Sequence, residues 1–168
     1  RLSDYSDKVM VKPVNNNVAV TVTNIGSQGN GANTGTYPNK HYGYIEVQKN
    51  TSDLTFDYQN NHFKYKVYDS SNILLGTICT DNTGLVTYGQ DSTGNGSLEK
   101  GTVIKFKEKT DNDGYALVYT DTTCNTQVSN NPYLNPASAS VSVTVTNVGS
   151  MNAGENISNY PNDRYYDL

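Results

Sequence analysis

Lys49, Glu108 and Asn147 each close a row of apolar residues. Alternate positions read Ile45, Val47, Lys49 in one segment and Ile104, Phe106, Glu108 in a second. A third reads Val141, Val143, Val145, Asn147. Side chains alternate between the two faces of a strand, so each polar residue belongs to the core face at its strand's end. A lysine amine held among apolar groups loses its proton more readily, and a glutamate keeps its own, because desolvation penalises the charged form. A neutral amine is a nucleophile, and a protonated acid polarises a carboxamide. Where the three meet, attack of the amine on the asparagine side chain expels ammonia and leaves an amide bond between two side chains. That reaction runs once per molecule. It is a self-cross-link, with Lys49 as nucleophile, Glu108 as acid and Asn147 as electrophile. The competing reading sends all three into solvent at strand ends, where lone Lys and Glu normally lie. Glu46 and Asp57 are the alternative acids if the register of the first region slips.

The elements that must position these residues are strands. No segment keeps a helical period, whereas Val, Thr and Tyr recur in short alternating runs. The predicted strands are 18–24, 43–49, 54–58, 62–69, 73–80, 84–89, 102–109, 115–122 and 140–147. Turn sequences separate them, among them Asp69-Ser-Ser-Asn72, Asp81-Asn-Thr-Gly84 and Asp111-Asn-Asp-Gly114. The last lacks the later acidic ligands of a calcium loop and reads as a hairpin turn. Short strands at this spacing predict an all-β sandwich with Greek-key links.

The chain repeats itself. Val18-Ala-Val-Thr-Val-Thr-Asn24-Ile-Gly-Ser27 matches Val141-Ser-Val-Thr-Val-Thr-Asn147-Val-Gly-Ser150 at an offset of 123. At the same offset Pro13 matches Pro136, Asn33 matches Asn156, and Tyr37-Pro-Asn39 matches Tyr160-Pro-Asn162. A period of this length is a domain, not a solenoid unit. Residues 1–45 therefore read as the end of a preceding module (strand 18–24) plus a linker, 46–150 as one full module, and 151–168 as a linker to a following one. The Gly- and Asn-rich stretches 26–39 and 149–162, each ending in Tyr-Pro-Asn, read as those linkers. An unpaired strand with inward valines at 18, 20 and 22 needs a partner. It predicts strand donation through Val18–Asn24 to a neighbouring module or subunit, with Asn24 as an inter-module acceptor in the place of Asn147.

Several segments resemble, in order, the collagen-adhesin B-type (Cna B-type) repeat of Gram-positive surface adhesins and pilin shafts. Tyr44-Ile-Glu-Val-Gln-Lys49 resembles its first strand, and Phe63-Lys-Tyr-Lys-Val-Tyr-Asp69 its second. Gly76 to Tyr88 resembles the turn-containing segment that follows. Leu98-Glu-Lys-Gly-Thr-Val-Ile-Lys-Phe-Lys-Glu108 resembles the strand ending in glutamate, and Val143-Thr-Val-Thr-Asn147 the final strand. Gln59-Asn-Asn-His62 departs from the family's Gly-Ala at that place. The resemblance covers roughly residues 44–148. It implies an Ig-like, prealbumin-like two-sheet antiparallel sandwich, in a load-bearing module of an extracellular adhesin stalk or pilus-like filament. It also implies an isopeptide bond from Lys49 to Asn147 with Glu108 as its acid. Tyr37-Pro-Asn-Lys40 is similar to a pilin motif whose lysine joins subunits, but the second copy has Asp163 there, so a linker is the expectation.

Composition bounds the alternatives. Twelve basic residues among sixteen acidic ones, with no basic stripe, argue against nucleic acid. No apolar run is long enough to span a bilayer as a helix. The nucleophile–His–acid sets and phosphate-cradling loops of enzymes are not found, so neither catalysis on an external substrate nor a cofactor is expected. His41 and His62 have no metal-ligand spacing. Cys79 and Cys124 are the only cysteines: a disulfide in an oxidising compartment is one reading, two inert buried thiols the other. The second functional class is a ligand-binding adhesin domain for glycan or host protein, which requires an exposed aromatic cluster.

Overall fold

The computed structural model describes residues 11–25, 33–37, 39–148 and 155–164. Eleven strands are found there: β1 (Val11–Pro13), β2 (Asn39–Thr51), β3 (His62–Tyr68), β4 (Leu74–Cys79), β5 (Leu85–Tyr88), β6 (Leu98–Glu99), β7 (Val103–Glu108), β8 (Val118–Tyr119), β9 (Leu134–Pro136), β10 (Val141–Thr144) and β11 (Glu155–Arg164). One sheet runs β1-β2-β11-β9, with β5 and β6 also paired to β2. The other runs β10-β7-β3-β4, with β8 on β3. Every strand pair is antiparallel except one: β11 lies parallel to β2, Glu155 opposite Tyr44 through Asn162 opposite Thr51.

The core lies between the sheets and follows the alternation. β2 contributes Ile45 and Val47, β3 Phe63, Tyr65 and Val67, β7 Ile104 and Phe106, and β10 Val143. Each fully buried apolar side chain contributes about 1.5–3 kcal/mol relative to exposure. The turns share one device. The carboxylates of Asp69, Asp81, Asp91 and Asp111 each accept N–H bonds from the residues two and four positions on. The residue three positions on takes a positive φ: Asn72, Gly84, Gly94 and Gly114. Asp111-Asn-Asp-Gly114 is thus a hairpin turn.

Three expectations are corrected. Residues 54–58 are not a strand. Leu54 is 98% exposed, and the Asp53 and Asp57 carboxylates take the N–H groups of Thr55, Gln59 and Asn60, so local side-chain bonds displace the ladder. Residues 18–24 make no ladder either, because a counterpart of β7 does not lie beside them. Finally, the expected linker after residue 150 contains β11, and β2 begins at Asn39, ahead of the boundary placed at 45. Asn, Ser and Pro signal a loop at 155–164, but parallel pairing with β2 overrides them. Pro161 joins the sheet as an acceptor, its carbonyl taking the Ala137 N–H at 3.0 Å. Parts of the linkers expected at 26–39 and 149–162 lie outside the described residues.

Candidate functional site

Lys49 is the last inward residue of the β2 row and is fully buried. β7 pairs with β3 in the facing sheet and carries Glu108, 3% exposed, to the same end of the core. The Lys49 Nζ lies 2.7 Å from Glu108 Oε1. Asn162, on β11 and 1% exposed, donates its Nδ2 to that same oxygen at 3.2 Å. Amine, carboxyl and carboxamide therefore converge at one point. Aromatic rings wall it: Nζ stands 4.7 Å from the centroid of Phe63 and 5.1 Å from that of Tyr160.

Tyr160 sits directly opposite Lys49 in the β2–β11 register. Its ring meets that of Tyr65 edge-on at 5.0 Å. Its hydroxyl accepts the Glu108 N–H at 3.3 Å and reaches the Ser138 and Ala139 carbonyls, both at 3.1 Å. One side chain thereby ties β11 to the acid's own backbone and to the chain leading into β10.

The pocket is buried and several of its polar atoms lack a protein partner. Among the described residues, Glu108 Oε2 and Asn162 Oδ1 have no hydrogen-bond partner, and the ion pair is the one close polar contact of Lys49 Nζ. An ammonium carries three donors, so this is a costly place for a charge. Burial pushes Lys49 down to about 8, against the opposing pull of Glu108. Burial likewise raises Glu108, against Lys49 and the Asn162 hydrogen bond. Both shifts favour the neutral amine beside the neutral acid.

The structure sets Lys49 beside Glu108, as the strand alternation expects, and the asparagine beside them is Asn162 and not Asn147. Asn147 is exposed, with its N–H donated to Asn156 Oδ1 at 2.7 Å. The alternation fails because β10 ends at Thr144; the chain then turns, and Val148, not Asn147, is the next buried residue after Val145. Asn156 is a structural clamp. It also accepts the Thr146 N–H and donates to the carbonyls of Asn147 and Tyr44. The signal for Asn162 was in the repeat, where Tyr-Pro-Asn recurs intact, but the proline made it read as a linker.

Of the alternative acids, Glu46 lies on the opposite face of β2 from Lys49, and Asp57 is exposed and holds the N–H groups of Gln59 and Asn60. Asn24 is exposed, its N–H donated to Asn33 at 2.9 Å. Cys79 and Cys124 form a disulfide, joining the end of β4 to the turn after β8. No group of residues able to hold a metal ion is found among the described residues. Nor is any helix there long and apolar enough to cross a membrane.

Among solved structures, the chain is similar to the minor pilin GBS52 of Streptococcus agalactiae, with 11% identity and a TM-score of 0.42 over 77% of this chain and 47% of that one. It is similar to the shaft pilin SpaA of Lactobacillus rhamnosus GG, with 13% identity and a TM-score of 0.43 over 74% of this chain and 49% of that one. A pilus-presented adhesin, Spy0125 (Cpa), follows at 17% identity and a TM-score of 0.33, over 76% of this chain and 28% of that one. The chain thus spans about half the length of the two pilins. No protein-family model and no curated protein matches the sequence.

Proposed function

We propose that this chain is a Cna B-type structural module of an extracellular adhesin stalk or pilus-like filament, locked by an isopeptide bond between Lys49 and Asn162. The observation that carries the reading is the meeting of the Lys49 amine and the Asn162 amide at one oxygen of the buried Glu108. In the neutral pair, Nζ attacks Cγ of Asn162 while the Glu108 carboxyl delivers its proton to Nδ2. The Cγ–Nδ2 bond breaks, ammonia leaves, and Glu108 recovers a proton from the attacking amine. The carboxyl ends as it began, and the product is a neutral amide in an apolar pocket. Bond formation also replaces an amine that is costly to ionise in this pocket with an amide that does not ionise, which favours the product. The disulfide supports an oxidising, extracellular location.

Intact mass tests this. The purified chain is expected to weigh one ammonia less than its sequence, after allowing for the disulfide, and the deficit should vanish in Lys49→Ala, Asn162→Ala and Glu108→Ala. A full-mass wild-type chain refutes the cross-link. An Asn147→Ala variant should keep the deficit.

A further inference from the structure

The first described segment is a copy of the module's closing strands with nothing to close. β1 pairs with β2 in the register Val11–His41, Lys12–Lys40, Pro13–Asn39. β9 pairs with β11 as Leu134–Arg164, Asn135–Asp163, Pro136–Asn162, which is the same register at the repeat offset of 123. Asn33 accepts the N–H groups of Thr23 and Asn24 and donates to the Asn24 carbonyl. Asn156 does the same for Thr146 and Asn147. The Tyr37 hydroxyl donates to the Asn16 carbonyl at 2.8 Å, matching the contact of Tyr160 with Ala139.

Burial and the ladder of β10 on β7 are what differ. Val20, Val22 and Ile25 are 50%, 73% and 78% exposed, whereas their counterparts Val143, Val145 and Val148 are 7%, 0% and 9% exposed. Asn39 is exposed, and its counterpart Asn162 is buried. The segment holds the local geometry of a finished module and lacks the two sheets that would bury it.

We infer that the described residues between Val11 and Asn39 complete a second sandwich of the same kind, and that Asn39 is the acceptor for a buried lysine of that sandwich. The cross-linking half rests on the reading of Lys49 and Asn162 given above. The occupant must supply counterparts of β2, β3 and β7, with an inward lysine beside a glutamate, and must lack closing strands of its own. A second copy of this chain does not qualify, because its own β11 fills the slot beside β2. The occupant is the module that precedes this one. β2 shows how they join: it runs unbroken from Asn39, the closing asparagine of one sandwich, to Lys49, the lysine of the next. This replaces Asn24 with Asn39 as the inter-module acceptor, since Asn24 corresponds to the exposed corner at Asn147.

The test is a tandem protein in which residues 39–137 are placed ahead of residues 15–168, compared with the intact chain. The intact chain should lose one ammonia and the tandem two, and Asn39→Ala in the tandem should restore one. Amides of 18–25 should exchange freely in the intact chain and slow by more than about a hundredfold in the tandem. A folded tandem that loses one ammonia, with 18–25 still unprotected, overturns the inference and leaves the Lys49–Asn162 reading standing. If the intact chain loses none, the cross-link fails for both asparagines, and protection of 18–25 alone decides whether the strands close a sandwich. A second variant guards against misfolding of the tandem. Residues 138–162 of the intact chain are replaced by 15–39, which should fold and lose one ammonia through the transplanted Asn39. Failure of that chimaera to fold, where the intact chain does, also overturns the inference.

Discussion

Lys49 is held by one carboxylate and two aromatic faces in a pocket without other polar partners among the described residues, so its charge destabilises the uncross-linked fold. The pH dependence has a definite sign. With a folded value near 8 against 10.5 for an ordinary lysine, the unfolded chain binds more protons between these limits, and stability rises with pH across that window. Glu108, raised by burial, acts oppositely: stability falls as pH climbs from 4.5 to its folded value. The stability difference between Asn162→Ala and Lys49→Met/Asn162→Ala, followed by urea unfolding, should therefore narrow from pH 8 to 10.5. A flat difference would mean that Lys49 is solvated. Lys49 and Glu108 were legible because strand alternation is regular up to the strand's end. The asparagine was not, because the alternation breaks at a corner after Thr144, and a proline masked the strand that places Asn162 beside Glu108.

Among the elements, the turns that open at Asp69, Asp81 and Asp111 were read correctly because their chemistry is local: an aspartate, and a left-handed residue three positions on. Asp121 extends the device, accepting from the amides of Asn125 and Thr126. The Thr123 hydroxyl, with those amides, holds its carboxyl down at about 2. Its contribution is complete above pH 3.8 and is lost as pH falls toward 2, so a carboxyl NMR titration should give a midpoint near 2, and Thr123→Val should raise it. The same turn carries Cys124. The disulfide to Cys79 closes a 45-residue separation, for which chain entropy gives about 4 kcal/mol. Cys79→Ser/Cys124→Ser in an Asn162→Ala background should lose about that amount in denaturant unfolding. Segment 54–58 was misread because Leu54, Phe56 and Tyr58 alternate as a strand would, while Asp53 and Asp57 claim the backbone N–H groups nearby. That competition leaves no mark in hydrophobic periodicity.

For the whole molecule, the two ends of the chain should tolerate loss very differently. β1 pairs with the first residues of β2, whereas β11 buries Tyr160 and Asn162 in the core. Deleting 1–38 should leave unfolding unchanged and reduce self-association in sedimentation, since exposed Val20, Val22 and Ile25 go with it. Deleting 155–168 should abolish cooperative unfolding, because it strips one sheet of the strand that faces Lys49. The two-sheet architecture was legible from turns and alternation. The single parallel pair was not, since it joins residues more than a hundred positions apart through a segment that has the composition of a loop.

That parallel pair decides how the module meets tension. β2 enters at one end of the sheet and β11 leaves at the other, side by side over eight paired positions. A pull on the two termini slides one strand along the other, so all the ladder bonds resist together; an antiparallel pair pulled the same way would peel open one bond at a time. Under the proposed Lys49–Asn162 bond, the pull would pass from β2 through a side-chain amide into β11, and residues 50–161 would carry none of it. Those residues would otherwise release roughly 370–400 Å of slack per module at full extension. A string of locked modules would behave as a cord of nearly fixed length, and one with Asn162→Ala as a tether that pays out in steps.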